Sequence, residues 1–162
     1  RSSRRPVDAL TPAKRLWMIA TGTGIAPFAS LIRDPETYDK FEEVVLTNTC
    51  RGVAELAYGN ELVAALKDDP LIGELATERL RYVAATTREV SPLTGRITTR
   101  IEDGSLFAGL GVAPFDPAVD RVMICGSMEM LKDVKALVEK AGLEEGSVSE
   151  PGQFVVERAF VG

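Results

Sequence analysis

Five apolar segments of strand length alternate with segments of helical pattern along this chain. Such alternation predicts an α/β fold, with a parallel sheet and helices on both of its faces. Because parallel crossovers are right-handed, we expect a doubly wound sheet with the strand order 3-2-1-4-5. The predicted strands are Arg15–Thr21, Glu43–Cys50, Leu80–Thr87, Arg121–Cys125 and Phe154–Ala159.

The helical segments lie between these strands and after the fourth one. Asp34 precedes Pro35 and should end the first helix, because a residue before proline is pushed out of the helical region. The longest segment carries apolar residues at helical spacing and should bury one face. The predicted helices run from about Ala26 to Arg33, Tyr58–Lys67, Pro70–Glu78, Ile97–Asp103, Leu106–Leu110 and about Met128–Ala141.

A glycine turn follows the first predicted strand, between Thr21 and Pro27. Gly22 and Gly24 permit backbone angles closed to other residues, and their missing Cβ atoms would let a ligand approach. Pro27 suits the first turn of a helix, and a helix start attracts anions. The stretch therefore predicts a phosphate cradle, although the usual third glycine is replaced by proline. The alternative is a tight strand-to-helix turn that binds nothing.

The winding of the predicted sheet reverses between strands one and four, and ligands bind outside the carboxyl ends at such a reversal. The glycine turn lies at one of those two ends. Cys125, Gly126 and Ser127 lie at the other. Two segments about a hundred residues apart should therefore form one crevice.

Composition narrows the function classes. The chain has 162 residues, enough for one domain, a formal charge of -5 and no histidine. The acidic balance argues against nucleic acid, and the lack of histidine excludes Ser-His-Asp catalysis and histidine-ligated metals. Two cysteines fit neither a disulfide framework nor a cysteine-rich metal site, so no metal is expected. With no apolar run of about 20 residues and no signal peptide, we expect a cytoplasmic protein without a membrane segment.

Arginines at the strand ends bear on the choice of nucleotide. An NAD-specific domain places an acid at the end of strand two, whereas Arg51 lies there in this chain. Arg88 ends strand three, and Arg96 lies in the loop beyond it. Guanidinium groups pair well with phosphate oxygens, so the three predict a site for a 2′-phosphate. The alternative is three solvated arginines paired with acids such as Glu55, Glu89 or Glu102.

Several motifs together resemble the NADP-binding half of bacterial ferredoxin(flavodoxin)–NADP reductases. The resemblance covers nearly the whole chain from Leu16 onward and implies an oxidoreductase. Such an enzyme passes hydride between NADP(H) and FAD, and single electrons between FAD and ferredoxin or flavodoxin. The motifs are Gly-Thr-Gly-Ile-Ala-Pro-Phe (22–28), Thr-Thr-Arg-Glu (86–89), Thr-Gly-Arg-Ile (94–97), Cys-Gly-Ser-Met (125–128) and Val-Val-Glu-Arg-Ala-Phe-Val-Gly (155–162).

The resemblance also implies roles for individual residues. The segment Thr21–Pro27 would hold the pyrophosphate, and Arg51, Arg88 and Arg96 would hold the 2′-phosphate. Cys125, with Gly126, would lie beside the nicotinamide. The pyrophosphate set is Thr21, Gly22, Thr23, Gly24, Ile25, Ala26 and Pro27, and the further candidate cofactor-binding residues within the motifs are Thr87, Ser127 and Met128.

The carboxyl-terminal segment is the remaining candidate site. By the same resemblance, Ala159 matches the position of an aromatic residue that stacks on the flavin in plant-type relatives. Glu157 would face the same region, and Phe160 would reach toward FAD. Cys125, Glu157 and Ala159 are therefore the candidates for the reaction centre. The structural alternatives are an inert buried Cys125 and a solvent-facing Glu157.

The family's FAD domain, an antiparallel barrel with an Arg-x-Tyr-Ser/Thr motif, has no counterpart among these residues. Residues 1–10 are polar, basic and interrupted by Pro6, which predicts a linker from a missing FAD domain to an NADP-binding domain at 11–162. We expect a monomer that is inactive as an isolated domain. The alternatives are a nucleotide-binding module without redox turnover, or the reductase component of an oxygenase. Cys50 and Trp17 are predicted core residues.

Overall fold

The structure, a computed structural model, describes residues 6–158, with the side chains of Pro6 and Arg158 left out. A five-stranded parallel sheet forms its centre, with the strand order 3-2-1-4-5. This confirms the predicted α/β class and topology. The strands are β1 Arg15–Thr21, β2 Glu43–Cys50, β3 Leu80–Thr86, β4 Asp120–Gly126 and β5 Phe154–Arg158.

Helices cover both faces of the sheet, as a parallel sheet requires. The first four pack on the face that carries Met18 and Leu46, and the other three pack on the face that carries Trp17 and Ile124. The helices are α1 Phe28–Ile32, α2 Pro35–Lys40, α3 Ala57–Leu66, α4 Gly73–Arg79, α5 Ile97–Glu102, α6 Ser105–Leu110 and α7 Met128–Lys140. None of these helices in the described residues has the length and apolarity needed to cross a membrane.

The first helix differs from the sequence prediction. A 3₁₀ turn occupies Gly22–Ile25, and α1 begins at Phe28 rather than at Ala26. The chain then enters α2, a helix that the prediction lacks. Asp34 caps α2, because its carboxylate accepts a hydrogen bond from the Glu36 backbone amide at 2.9 Å, and Pro35 occupies the first turn. The Asp-Pro pair therefore both ends one helix and starts the next.

Residues 6–10 pack against the domain instead of extending from it as a free linker. Pro6–Ala9 form a 3₁₀ turn, and Val7 within it and Leu10 after it are 2% and 1% exposed. The Gly152 backbone amide donates to the Ala9 carbonyl at 2.8 Å, which ties the turn to the segment before β5. The predicted linker thus overlaps the folded domain over its second half, while residues 1–5 lie outside the described part of the chain.

A buried carboxylate fixes the amino-terminal ends of β1 and β4. One oxygen of Asp120 accepts from Trp17 Nε1 at 2.8 Å and from Arg15 Nη1 at 3.1 Å, and the other accepts from the Asp116 backbone amide at 2.9 Å. Trp17 also packs edge-on against the ring of Phe107. Trp17 is fully buried, which confirms it as a core residue. Asp120 and its partners Arg15 and Trp17 lie at the end of the sheet opposite the predicted crevice.

Candidate functional site

The carboxyl ends of β1 and β4 meet, as the predicted switch point requires. The two strands pair in parallel, with Ala20 opposite Cys125. The turn after β1 packs tightly on the end of β4, because a Cβ at Gly126 would collide with Thr21 Oγ1 and would lie 2.6 Å from Met130 Cε. A side chain at 126 would therefore force the side chains of Thr21 and Met130 to move.

The two glycines of the turn have different tasks. Gly22 has a φ of +54°, and a Cβ there would meet no protein atom within 4 Å. Its missing side chain leaves open space where a ligand could approach the backbone. A Cβ at Gly24, in contrast, would collide with the Cys125 carbonyl oxygen and lie 3.0 Å from Gly126 Cα. The interpretation of Gly24 as an opening for ligand is therefore wrong, since its missing side chain makes room for β4.

A cleft of about 860 Å³ opens over these strand ends, and we call it the carboxyl-end cleft. The turn, the ends of β2 and β3, and the first turns of α5 and α7 all contribute to it. Ten of the predicted site residues line it: Thr21, Gly22, Thr23, Arg51, Thr87, Arg88, Arg96, Gly126, Ser127 and Met128.

The other residues of the predicted pyrophosphate segment do not line this cleft. Gly24 and Ile25 are buried, Ala26 is exposed and Pro27 is half-buried. Only the first half of the Thr21–Pro27 segment therefore faces the cleft. The physical reason is the 3₁₀ turn, which directs the chain down into the core after Thr23.

Arg51 and Arg88 lie side by side. The Arg88 backbone amide donates to the Arg51 carbonyl at 2.9 Å, which extends the pairing of β2 and β3 beyond the strand ends. Both side chains are exposed, and neither forms an ion pair with another described residue. Nearby acids bind backbone amides instead: Glu89 accepts from Val53 at 2.6 Å, and Glu55 accepts from Gly52 at 3.1 Å. The structure therefore does not show the ion pairs with Glu55 and Glu89 that the alternative interpretation of these arginines predicts.

Arg96 differs from the other two arginines because it has an acidic partner. Its Nη2 lies 3.7 Å from Glu129 Oε1, and both side chains are more than 70% exposed. Arg96 directly precedes α5, and Glu129 lies in the first turn of α7. The pair therefore joins two walls of the carboxyl-end cleft.

The amino end of α7 forms the wall beside Gly126. The Ser127 hydroxyl caps the helix by accepting from the Met130 backbone amide at 3.3 Å. Met128 is 64% exposed, so its side chain faces solvent and the cleft rather than the core.

Cys125 is buried beneath the cleft and does not line it. Its thiol belongs to the core cluster on the α1–α4 face, and burial, with a smaller contribution from the charge of Glu157, raises its pKa to about 11. Glu157 pairs with Cys125 in register on β5, and burial raises the pKa of its carboxyl. The thiol is thus neutral near pH 7 and is no nucleophile there. Ala159 and Phe160 lie outside the described residues.

Sequence reasoning missed part of the cleft. Cys50, predicted as filler in the core, is 4% exposed but also lines the cleft. Burial raises the pKa of the Cys50 thiol. A hydrogen bond with the Gly22 backbone lowers this pKa by less than burial raises it, and the charge of Glu55 raises it further. Two further acids, Glu129 and Asp133, lie four residues apart on α7 and line the cleft. Their spacing on one helix face was the available signal.

Charges of both signs therefore line the cleft. The three arginines lie on the side of β2, β3 and α5, while Glu129 and Asp133 lie on α7. Arg51 and Arg88 have exposed guanidinium groups without an acidic partner among the described residues, next to a turn with an open glycine. Such an arrangement can hold an anion with several phosphates.

A doubly wound parallel sheet with a glycine turn at its switch point and arginines after the neighbouring strands defines a dinucleotide-binding domain. Residues 18–136 match the family described as the oxidoreductase NAD-binding domain. The chain belongs to this family.

Individual relatives are named more specifically. The chain is 56% identical to a flavodoxin/ferredoxin–NADP reductase of Rhodobacter capsulatus over 96% of its own length and 58% of the relative's. It is 52% identical to ferredoxin–NADP reductase A of Sorangium cellulosum, over 96% of the chain and 56% of that protein. The chain thus spans somewhat more than half the length of these relatives.

A solved structure shows the same fold. It is a ferredoxin NADP⁺ reductase from Neisseria gonorrhoeae with bound FAD and NADP, similar at a TM-score of 0.80 and 31% identity. The match covers 94% of this chain and 59% of that one. The resemblance noted in the sequence motifs is therefore confirmed by sequence and by structure.

Proposed function

We propose that this chain is the NADP-binding part of an FAD-dependent ferredoxin/flavodoxin–NADP reductase. The observation that carries the proposal is the placement of Arg51, Arg88 and Arg96 on one cleft with the glycine turn. An NAD-specific site would instead need an acid free to bind the ribose at the end of β2. Glu55 is the acid near that strand end, and its carboxylate is bound to the Gly52 amide.

The residues present fit the nucleotide. Open space at Gly22 gives the pyrophosphate access to the backbone, and Thr23 lies beside it on the cleft. Arg51 and Arg88, whose backbones pair at adjacent strand ends, each supply a guanidinium group for the 2′-phosphate, and Arg96 supplies a third once it leaves Glu129. Paired charge-assisted hydrogen bonds of this type are about twice as strong as neutral ones.

Hydride exchange between NADP(H) and FAD, followed by single-electron exchange with ferredoxin or flavodoxin, is the chemistry that the two cofactors supply when bound. The protein's side chains contribute position. Gly126 admits the close contact between β4 and Thr21, and the buried, neutral Cys125 fills the core behind it. We propose that this end of β4 supports the nicotinamide, with Glu157 on the neighbouring strand facing the same region.

The remaining length of the relatives suggests where the flavin is held. Because the chain spans only 58% and 56% of two curated reductases, we propose that an FAD domain precedes the NADP-binding domain, whose core includes Val7 and Leu10. By this proposal the chain alone is inactive as a reductase. We also propose that the complete protein is a cytoplasmic monomer whose partner is ferredoxin or flavodoxin. Residues encoded upstream of Arg1 test this account, since a barrel with a flavin-binding motif there favours a reductase over a nucleotide-binding module without redox turnover.

The nucleotide assignment is tested by Arg88→Ala. This change should weaken NADP⁺ binding by about 1–3 kcal/mol, the range for hydrogen bonds to charged groups, and leave NAD⁺ binding nearly unchanged. Arg33→Ala, which removes an exposed arginine outside the cleft, is the matched control and should affect neither. Isothermal titration calorimetry provides the affinities. Equal losses for NADP⁺ and NAD⁺ in Arg88→Ala would refute the assignment.

A further inference from the structure

One ion pair bridges the carboxyl-end cleft. Arg96 Nη2 and Glu129 Oε1 lie 3.7 Å apart, and the two residues belong to different walls, at the amino ends of α5 and α7. Neither wall needs the pair for its own packing, because the side chains are 73% and 78% exposed. The ion pair therefore lies at the surface of the cleft and does not contribute to the packing of the core.

An exposed pair of this kind is weak, so it opens easily. A 2′-phosphate would nevertheless compete with Glu129 for the same guanidinium group. This competition disfavours the 2′-phosphate, while a nucleotide without a 2′-phosphate has no such group to compete for Arg96.

Asp133 provides a natural comparison within the same helix. It lies one turn after Glu129 on α7, lines the same cleft and carries the same charge. It forms no ion pair with any other residue in the described range 6–158. If negative charge alone weakens 2′-phosphate binding, neutralising either acid should strengthen it. If the ion pair with Arg96 is responsible, only neutralising Glu129 should do so.

We propose that Glu129 is a specificity-determining residue that pairs with Arg96 at the carboxyl-end cleft and must release it when a 2′-phosphate binds. This inference rests on the proposed NADP function and assigns Glu129 a role in it. Glu129 sets the difference in affinity between nucleotides with and without the 2′-phosphate. The carboxylate lowers the affinity for the former and is neutral toward the latter.

The experiment compares 2′,5′-ADP with 5′-AMP by calorimetry at moderate salt, using the full chain and the variants Glu129→Gln and Asp133→Asn. Glu129→Gln should tighten 2′,5′-ADP binding by roughly two- to fivefold, the range for an exposed ion pair, and leave 5′-AMP unchanged. Asp133→Asn should give less than half of that gain. With Arg96→Met already present, Glu129→Gln should have no further effect on 2′,5′-ADP, because the bridge is gone.

The possible results distinguish a failure of the proposed role of Glu129 from a failure of the proposed NADP function. If Glu129→Gln and Asp133→Asn tighten 2′,5′-ADP binding equally, or if the gain persists with Arg96→Met, the bridge is overturned while the NADP function stands. If the unmodified chain binds 2′,5′-ADP and 5′-AMP with equal affinity, the proposed function is overturned and the role of Glu129 with it. Unchanged circular dichroism spectra in all variants show that the differences arise in the cleft.

Discussion

Alanine substitutions at Gly22 and Gly24 should mainly affect different properties, although the two glycines are only two residues apart. We expect the change at Gly22 to weaken nucleotide binding and the change at Gly24 to destabilise the fold. At Gly24 the new Cβ collides with the Cys125 carbonyl oxygen and lies 2.7 Å from the Cys125 carbonyl carbon. Both are backbone atoms of a central strand and cannot rotate away. We therefore expect Gly24→Ala to destabilise the fold by about 3 kcal/mol or more, the upper end of the range for overpacking.

At Gly22 the new Cβ meets no protein atom within 4 Å, so the cost is conformational. A φ of +54° is in the left-handed region, where a residue with a Cβ loses about 1–2 kcal/mol. The methyl group would occupy the open space at the carboxyl-end cleft. Gly22→Ala should therefore lower NADP⁺ affinity by roughly tenfold, the equivalent of one hydrogen bond to a charged group, in a protein that remains folded.

Urea denaturation gives the stabilities, and calorimetry gives the affinity of Gly22→Ala at a temperature where it is folded. The pair of variants is its own control, since each carries one added methyl group in the same turn. A Gly24→Ala protein as stable as the unmodified one would refute the packing argument, as would a larger stability loss at Gly22 than at Gly24.

Three further changes test the scaffold. Asp120→Ala should cost about 3–5 kcal/mol in urea denaturation, because it leaves the buried Arg15 and Trp17 donors without their shared acceptor, and a loss below about 1 kcal/mol would contradict this. Leu10→Ala should cost about 2–5 kcal/mol, as expected of a core residue and not of a linker residue, whose loss would be near zero. The Cys125 thiol has a higher pKa folded than unfolded, so its contribution to stability is complete below pH 9.0 and is lost as the pH rises toward about 11. Cys125→Ala should reduce the alkaline loss of stability over that interval, and an unchanged pH dependence would show that the thiol titrates normally.

The sheet could be predicted because its strands are marked locally. β1 and β2 consist mostly of apolar or β-branched residues, and the structure has both with the predicted bounds. The order of the five strands follows from the right-handed crossovers between parallel strands. The sequence prediction lacks helix α2 because an Asp-Pro pair indicates only the end of a helix, whereas Asp34 and Pro35 here also cap and begin one.

The site was only partly accessible to sequence reasoning. Arg51 and Arg88 follow strand ends, and the fold brings all such positions together. The purpose of Gly24 could not be inferred, because a missing Cβ serves a ligand or a neighbouring strand equally well until the packing is known. The spacing of Glu129 and Asp133 indicates an acidic face on α7, but the pairing of Glu129 with Arg96 could not be predicted, since it depends on the approach of two helices far apart in sequence.

The central claim, that the carboxyl-end cleft selects a 2′-phosphorylated dinucleotide, is tested most directly by the affinities of the unmodified chain for NADP⁺ and NAD⁺. Arg51 and Arg88, both on the cleft and without acidic partners among residues 6–158, should each add a charge-assisted contact that NAD⁺ lacks. Isothermal titration calorimetry should therefore show NADP⁺ binding at least about tenfold more tightly than NAD⁺. Equal affinities, or a preference for NAD⁺, would contradict the account.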